Sequence, residues 1–280
     1  MSMKKSLLLS VCLIVALCVA QAVAFAAEGG VDWNVGTVRG RGYGVPMANP
    51  VNPGQAVATA REAAIAEAYA ALAEQVAGVQ VDSERDVKNL QLMSKETNTK
   101  VNAVIRNAKI VNEKWDGNLG MYFVEMEMPM YGASNSLSSA VLPVTPPQER
   151  ESFPQPTTKV EVTVEVQQTR SAGGYTGLIV DCRGLSLTPA MSPVIMNTSG
   201  TKIYGYKNLD SKKVIHNGMA GYASDMGSAA RAGNRPLVVK AVRLNNHNFN
   251  PVLSVEDANR VLAENEISHF LDNCAVVFLR

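Results

Sequence analysis

From Asn52 to Gly78, in NPGQAVATAREAAIAEAYAALAEQVAG, apolar positions recur at the three-to-four-residue spacing of an amphipathic helix. At about 100° per residue, Val57, Ala60, Ala64, Ile65, Ala68, Tyr69, Leu72 and Val76 share one face, and Glu62, Glu67 and Glu74 fall outside it. Asn52 is a suitable cap, Pro53 fits the first helical position because its missing N–H would be unpaired there anyway, and Gln55 can reach back. Gly78 ends the run. Such a face calls for a sheet beneath it, and the many alanines elsewhere let the helix lie close to a neighbour. The stretch therefore predicts packing rather than catalysis.

Around this helix the pattern changes to strands. Val31 to Arg41 alternates in part and reads as one strand entering the helix. In Gly40-Arg41-Gly42-Tyr43-Gly44 the spacing is not GxGxxG, and Pro46, Pro50 and Pro53 precede the helix. Those glycines predict close backbone approach at a twisted strand end, not a phosphate loop. After Gly78, GVQVDS reads as a short strand, and Glu84 to Lys100 is open between a helix and a long excursion. Ala108 to Trp115, a turn at Asp116-Gly117, and Met121 to Met130 form a hairpin with Tyr122, Val124, Met126 and Met128 on one face. The sum is an α+β domain over residues 31–131, a long helix on a mostly antiparallel sheet.

Residues 132–158 carry Ser134, Ser136, Ser138 and Ser139, then Pro143, Pro146, Pro147, Pro154 and Pro156, the composition of an extended, semi-stiff linker. A second α/β-layer domain follows over 159–280. It opens on KVEVTVEVQ, strictly alternating from Lys159 to Gln167, and continues with a buried strand from Thr176 to Cys182. A turn at Thr188-Pro189 and a hairpin about Asn197-Thr198-Ser199-Gly200 come next. Val214 to Arg231 has helical spacing weakened by Gly218, Gly221 and Gly227; Leu237 to Leu244 reads as a strand. Ser254-Val255-Glu256-Asp257 starts a helix running to about Leu271, and Cys274 to Leu279 is an apolar last strand expected in the sheet centre.

The N-terminus changes the picture of where the protein works. Lys4 and Lys5 precede an apolar run from Leu7 to Ala24, and Ala24-Phe25-Ala26 fits the small-x-small rule, so residues 1–26 read as a signal peptide. The competing readings are an uncleaved anchor and a lipoprotein lipidated at Cys18, against which Leu17 stands as a poor residue before a lipidated cysteine. The expected location is the periplasm, or the outer membrane or cell surface with peripheral attachment. Removing Lys4 and Lys5 turns 26 basic against 25 acidic residues into 24 against 25. That balance lacks the basic excess of a nucleic-acid binder.

Chemistry is sparse. His216, His247 and His269 show no HExxH, CxxC or paired metal spacing, and no GxSxG or Walker pattern occurs, so no catalytic residue, metal or cofactor is assigned. Cys182 and Cys274 would either pair in the oxidising compartment or stay as two buried thiols. Asp181 and Arg183, at the end of a buried strand, are candidates for a polar site, or for a local ion pair. Arg61 falls inside the apolar stripe of the long helix. Its stem packs there while its head snorkels past the sheet edge, or pairs with a carboxylate or a partner protein.

Val38-Arg39-Gly40-Arg41-Gly42, Ala60-Arg61-Glu62-Ala63-Ala64, Ala70-Ala71-Leu72-Ala73, Gly78-Val79-Gln80-Val81 and the hairpin lie between Trp33 and Tyr131. That stretch resembles a family of bacterial envelope lipoproteins typified by a twenty-kilodalton outer-membrane lipoprotein and including the N-terminal domain of the flagellar outer-ring protein FlgT. The resemblance implies a non-enzymatic structural or assembly component that works through protein–protein contacts with outer-membrane or flagellar basal-body partners. It brings no catalytic residue. Tyr175 to Asp181 and Gly218 to Ala223 resemble segments of uncharacterised exported relatives. The alternative reading is a periplasmic module that holds a small ligand or glycan, either in a cleft between the domains or at the Asp181 end of the second sheet.

Overall fold

The computed structural model describes residues 29–156 and 173–280. The segments expected to be a signal peptide (residues 1–26) and a strand (KVEVTVEVQ) lie outside the described residues. The fold is α+β: two α/β-layer units joined by the Pro/Ser-rich segment, the first a long helix packed on an antiparallel sheet.

That helix, α1 (Pro53–Ala77), begins as its residues dictate: the Asn52 side chain accepts from the Gln55 N–H, while Gln55 Oε1 accepts from the Val51 N–H. Ala60, Ala64, Ala68, Leu72 and Val76 are buried on one stripe. Beneath lies a sheet in the order β1 (Val31–Asp32), β2 (Thr37–Gly44), β4 (Met121–Pro129), β3 (Lys109–Asp116), antiparallel throughout. Gly40, Gly42 and Gly44 of β2 face the alanine stripe so closely that a Cβ on any of them would fall under 3.0 Å from the backbone of α1. The expected close approach is thus real, with glycine on the sheet meeting alanine on the helix. Val124, Met126 and Met128 of β4 fill the rest of the layer. The segment between α1 and β3 resolves into two helices, α2 (Val87–Met93) and α3 (Lys95–Arg106), capped by Asp86 and Ser94.

Three expectations here are corrected. Val31 to Arg41 is not one strand but a hairpin, because Asp32 accepts from the Asn34 and Val35 N–H groups and Gly36, at φ +79°, turns the chain back. GVQVDS contributes only a single bridge, Gln80 to Asp86. The expected linker is not extended throughout: Ser136 caps a short helix α4 (Leu137–Val141), and Leu137, Ser138 and Leu142 are buried. Ser138 Oγ donates to the Ile215 carbonyl at 2.6 Å, which ties this segment to the second unit.

The second unit holds two sheets. One is parallel, in the order β8 (Gly221–Ala223), β12 (Val276–Leu279), β5 (Gly177–Asp181), β9 (Pro236–Lys240), with the apolar last strand inside it as expected. The other is mixed, in the order β10 (Arg243–Asn245), β11 (Asn250–Leu253), β6 (Ile195–Asn197), β7 (Lys202–Tyr204). Helix α6 (Val255–Ser268) starts at Ser254, whose hydroxyl accepts from the Asp257 N–H. The helix expected over Val214 to Arg231 is cut short: α5 (Ser211–Asn217) stops at Gly218, at φ +77°, and the apolar residues that follow enter strand β8. Leu237 to Leu244 likewise divides between two sheets as β9 and β10.

One buried cluster runs through both units, from Val38 and Leu72 to Leu178 and Phe278. The Met191 and Ser192 N–H groups donate to the Gln80 and Val81 carbonyls, and the Tyr131 ring lies against Gly218. The halves are fastened by backbone as well as by side chains.

Candidate functional site

The carboxyl ends of β8 and β12 meet the β1–β2 hairpin of the first unit, and a cleft of about 590 Å³ opens there. Its floor is aromatic. Trp33, in the hairpin turn, stands edge-on to Tyr222 of β8, with ring centres 5.6 Å apart, and Tyr222 packs on Phe278 of β12. Tyr222 is held rigidly, its hydroxyl accepting from the Ala190 N–H and donating to the Ala190 carbonyl. Burial pushes its phenol well above the ordinary range, so it stays neutral.

The wall is cationic and acidic in turn. Because β2 buries its glycines under α1, the alternate residues Arg39 and Arg41 must project from the opposite face of the sheet. There they meet Glu127 and Glu125, their cross-strand neighbours on β4. Arg39 Nε bonds Glu127 Oε2 at 2.6 Å, and Arg41 bonds Glu125 Oε1 at 3.0 Å. Arg280, whose N–H donates to the Ala223 carbonyl, brings a third guanidinium to the rim. Among the described residues Arg280 has no ion-pair partner. A larger groove of about 710 Å³, between residues 81–90, 141–154 and 192–208, holds two local ion pairs, Asp82 with Arg85 and Glu151 with Lys207, beside Glu84 and Lys202.

The residues singled out from sequence lie elsewhere. Asp181 and Arg183 do come together, Arg183 Nε and Nη2 donating to the two carboxylate oxygens at 2.9 and 2.7 Å. The Arg183 guanidinium draws the Asp181 carboxyl from its ordinary 3.8 down to about 2. This is a self-contained ion pair at the end of β5, one strand from the cleft and not in its lining. Arg61 neither joins it nor waits unpaired: its guanidinium forks onto Glu113 of β3 at 2.6 and 3.2 Å and holds that carboxyl below the usual carboxylate range. The pair braces α1 against the sheet edge.

Of the two alternatives for Cys182 and Cys274, the structure has the two buried thiols and not the disulfide. Cys182 follows the carboxyl end of β5 and Cys274 precedes the amino end of the parallel neighbour β12. The four paired residues between them span about 13 Å at ~3.3 Å per residue, beyond the ~7 Å that a bridge tolerates. Both thiols are free and buried, and burial, with Asp181 adding, pushes that of Cys182 up to about 12. No group of three His, Cys, Asp or Glu able to hold a metal ion occurs among the described residues.

Sequence reasoning missed Trp33, Arg39, Tyr222 and Arg280 as a group. The only available signal was Arg39 and Arg41 alternating with glycine, which fixes their face but not what they meet.

A family model for the second domain of Treponema pallidum Tp0624 matches residues 177–280, which covers the parallel and the mixed sheet. No curated protein matches the chain. No helix among the described residues is long and apolar enough to cross a membrane.

Proposed function

We propose that this is a non-enzymatic, exported component of the bacterial envelope that acts by docking onto a partner protein. The observation that carries this reading is an exposed apolar end on the first unit. The register places Gly44 opposite Tyr122 and Trp115 opposite the same residue, so the loop after β2 and the β3–β4 turn emerge at one end of the sheet. At that end Tyr43, Val45, Met47, Val51 and Leu119 are 55%, 59%, 47%, 86% and 63% exposed. Large apolar side chains left open to water at one end of a domain are costly to hydrate and mark contact surfaces. The second unit packs at the other end, around Trp33 and Tyr131, and so leaves this one accessible.

The resemblance of residues 33–131 to envelope lipoprotein and flagellar-ring domains, and the signal-like leader, support the same setting, with the flagellar ring as one candidate machine. Replacing Met47 and Val51 with Asp tests it. Both side chains are exposed, so the fold is expected to persist while co-purification with the envelope fraction is lost; retained co-purification would refute the assignment of this surface.

A further inference from the structure

The cleft between the units has a chemistry of its own, independent of the docking surface. Arg39 commits only its Nε to Glu127 among the described residues, which leaves the outer N–H groups of its fork uncommitted. Arg280 commits none of its side-chain donors there, and the Trp33 indole N–H likewise has no acceptor among the described residues. Guanidinium and indole donors are therefore left over in the cleft. Beside them are carboxylates that can accept: Glu125, already engaged by Arg41, and Asp32, whose Oδ1 caps the hairpin turn, both close enough to Arg39 to act on its charge. The aromatic pair of Trp33 and Tyr222 lines the same cleft.

We propose that this cleft binds a small acidic sugar. A carboxylate suits the open forks of Arg39 and Arg280, since guanidinium donors match its two oxygens in plane. Ring hydroxyls donate to Glu125 and Asp32, which only accept. The C–H face of a pyranose covers the Trp33 ring, as amphipathic aromatic surfaces favour. A neutral sugar leaves the arginines unsatisfied, and a bare carboxylate leaves the aromatic floor uncovered. The volume admits a mono- or disaccharide, within the range of small-molecule sites.

The test is calorimetric titration of the purified protein with glucuronate, glucose and acetate, with the Trp33 fluorescence followed in a Trp115→Phe background. Glucuronate is expected to bind and to perturb Trp33, with glucose and acetate each at least tenfold weaker. Arg280→Gln, an exposed substitution, is expected to lower glucuronate affinity about tenfold with an unchanged melting midpoint; Trp33→Leu removes the fluorescence response and weakens binding. Equal binding of acetate and glucuronate, no binding of glucuronate, or full affinity in a folded Arg280→Gln variant would each overturn the proposal.

Discussion

Gly42 of β2 lies against Ala68 of α1 with no room for a side chain between them: a Cβ on the glycine would stand well under 3.0 Å from the Ala68 and Ala64 backbone. Helix and sheet can meet at this distance only if both surfaces are stripped. Substituting Gly42→Ala is expected to cost about 1–3 kcal/mol through overpacking, and Gly30→Ala, where nothing lies within 4 Å, to cost far less. Urea unfolding of the two variants checks it; equal midpoints would mean that the glycine stripe does not set the helix–sheet distance.

Leu72 is fully buried in the same layer. Leu72→Ala should destabilise by about 2–5 kcal/mol, the transfer loss plus a residual cavity. The same unfolding curves would show it, and a neutral result would place the core elsewhere.

Asp181 makes stability depend on acid. Its folded-state pKa of about 2 is below its ordinary value, so its contribution is complete above pH 3.8 and is lost as the pH falls through about 2. Asp181→Asn is therefore expected to lower the denaturation midpoint at neutral pH and to converge with the parent near pH 2. A gap that persists in acid would assign the effect to packing.

Arg61→Ala separates brace from docking site. The pair with Glu113 is solvent-exposed and screened, so the variant stays folded, while the Glu113 carboxyl titrates higher once its cation is gone. Carboxyl chemical shifts followed by NMR report this directly, and an unshifted Glu113 would contradict the pairing.

The two cysteines offer a chemical check. Cys182 and Cys274 should resist alkylation in the native protein and react fully on unfolding, with no linked peptide after oxidising purification. A Cys182–Cys274 peptide in the digest would refute the parallel register of β5 and β12.

Local signals carried much of this architecture. The cap at Asn52, the stripe through Leu72, the hairpin of β3 and β4, the Ser254 cap and the interior position of β12 all follow from periodicity and short-range chemistry. Where expectation failed, glycine turns cut a periodic run: Gly36 folded one strand into two, and Gly218 ended α5 so that Tyr222, at helical spacing, became a strand residue under Trp33. The cleft was illegible for a different reason. Its walls come from residues 29–34, 39, 41, 125, 222–224 and 280, and only the packing of one unit on the other brings them together. Asp181 and Arg183 drew attention because they stand at the end of a buried strand, yet their charges satisfy each other.

The most direct test of the docking role is photo-crosslinking in living cells from a reactive residue placed at position 47, with position 256, on the exposed flank of α6, as the control. The account predicts a discrete adduct with another envelope protein from position 47, absent from position 256 and lost when Val51→Asp is added. Monomer alone from both positions, in a protein shown to be exported and folded, would contradict it.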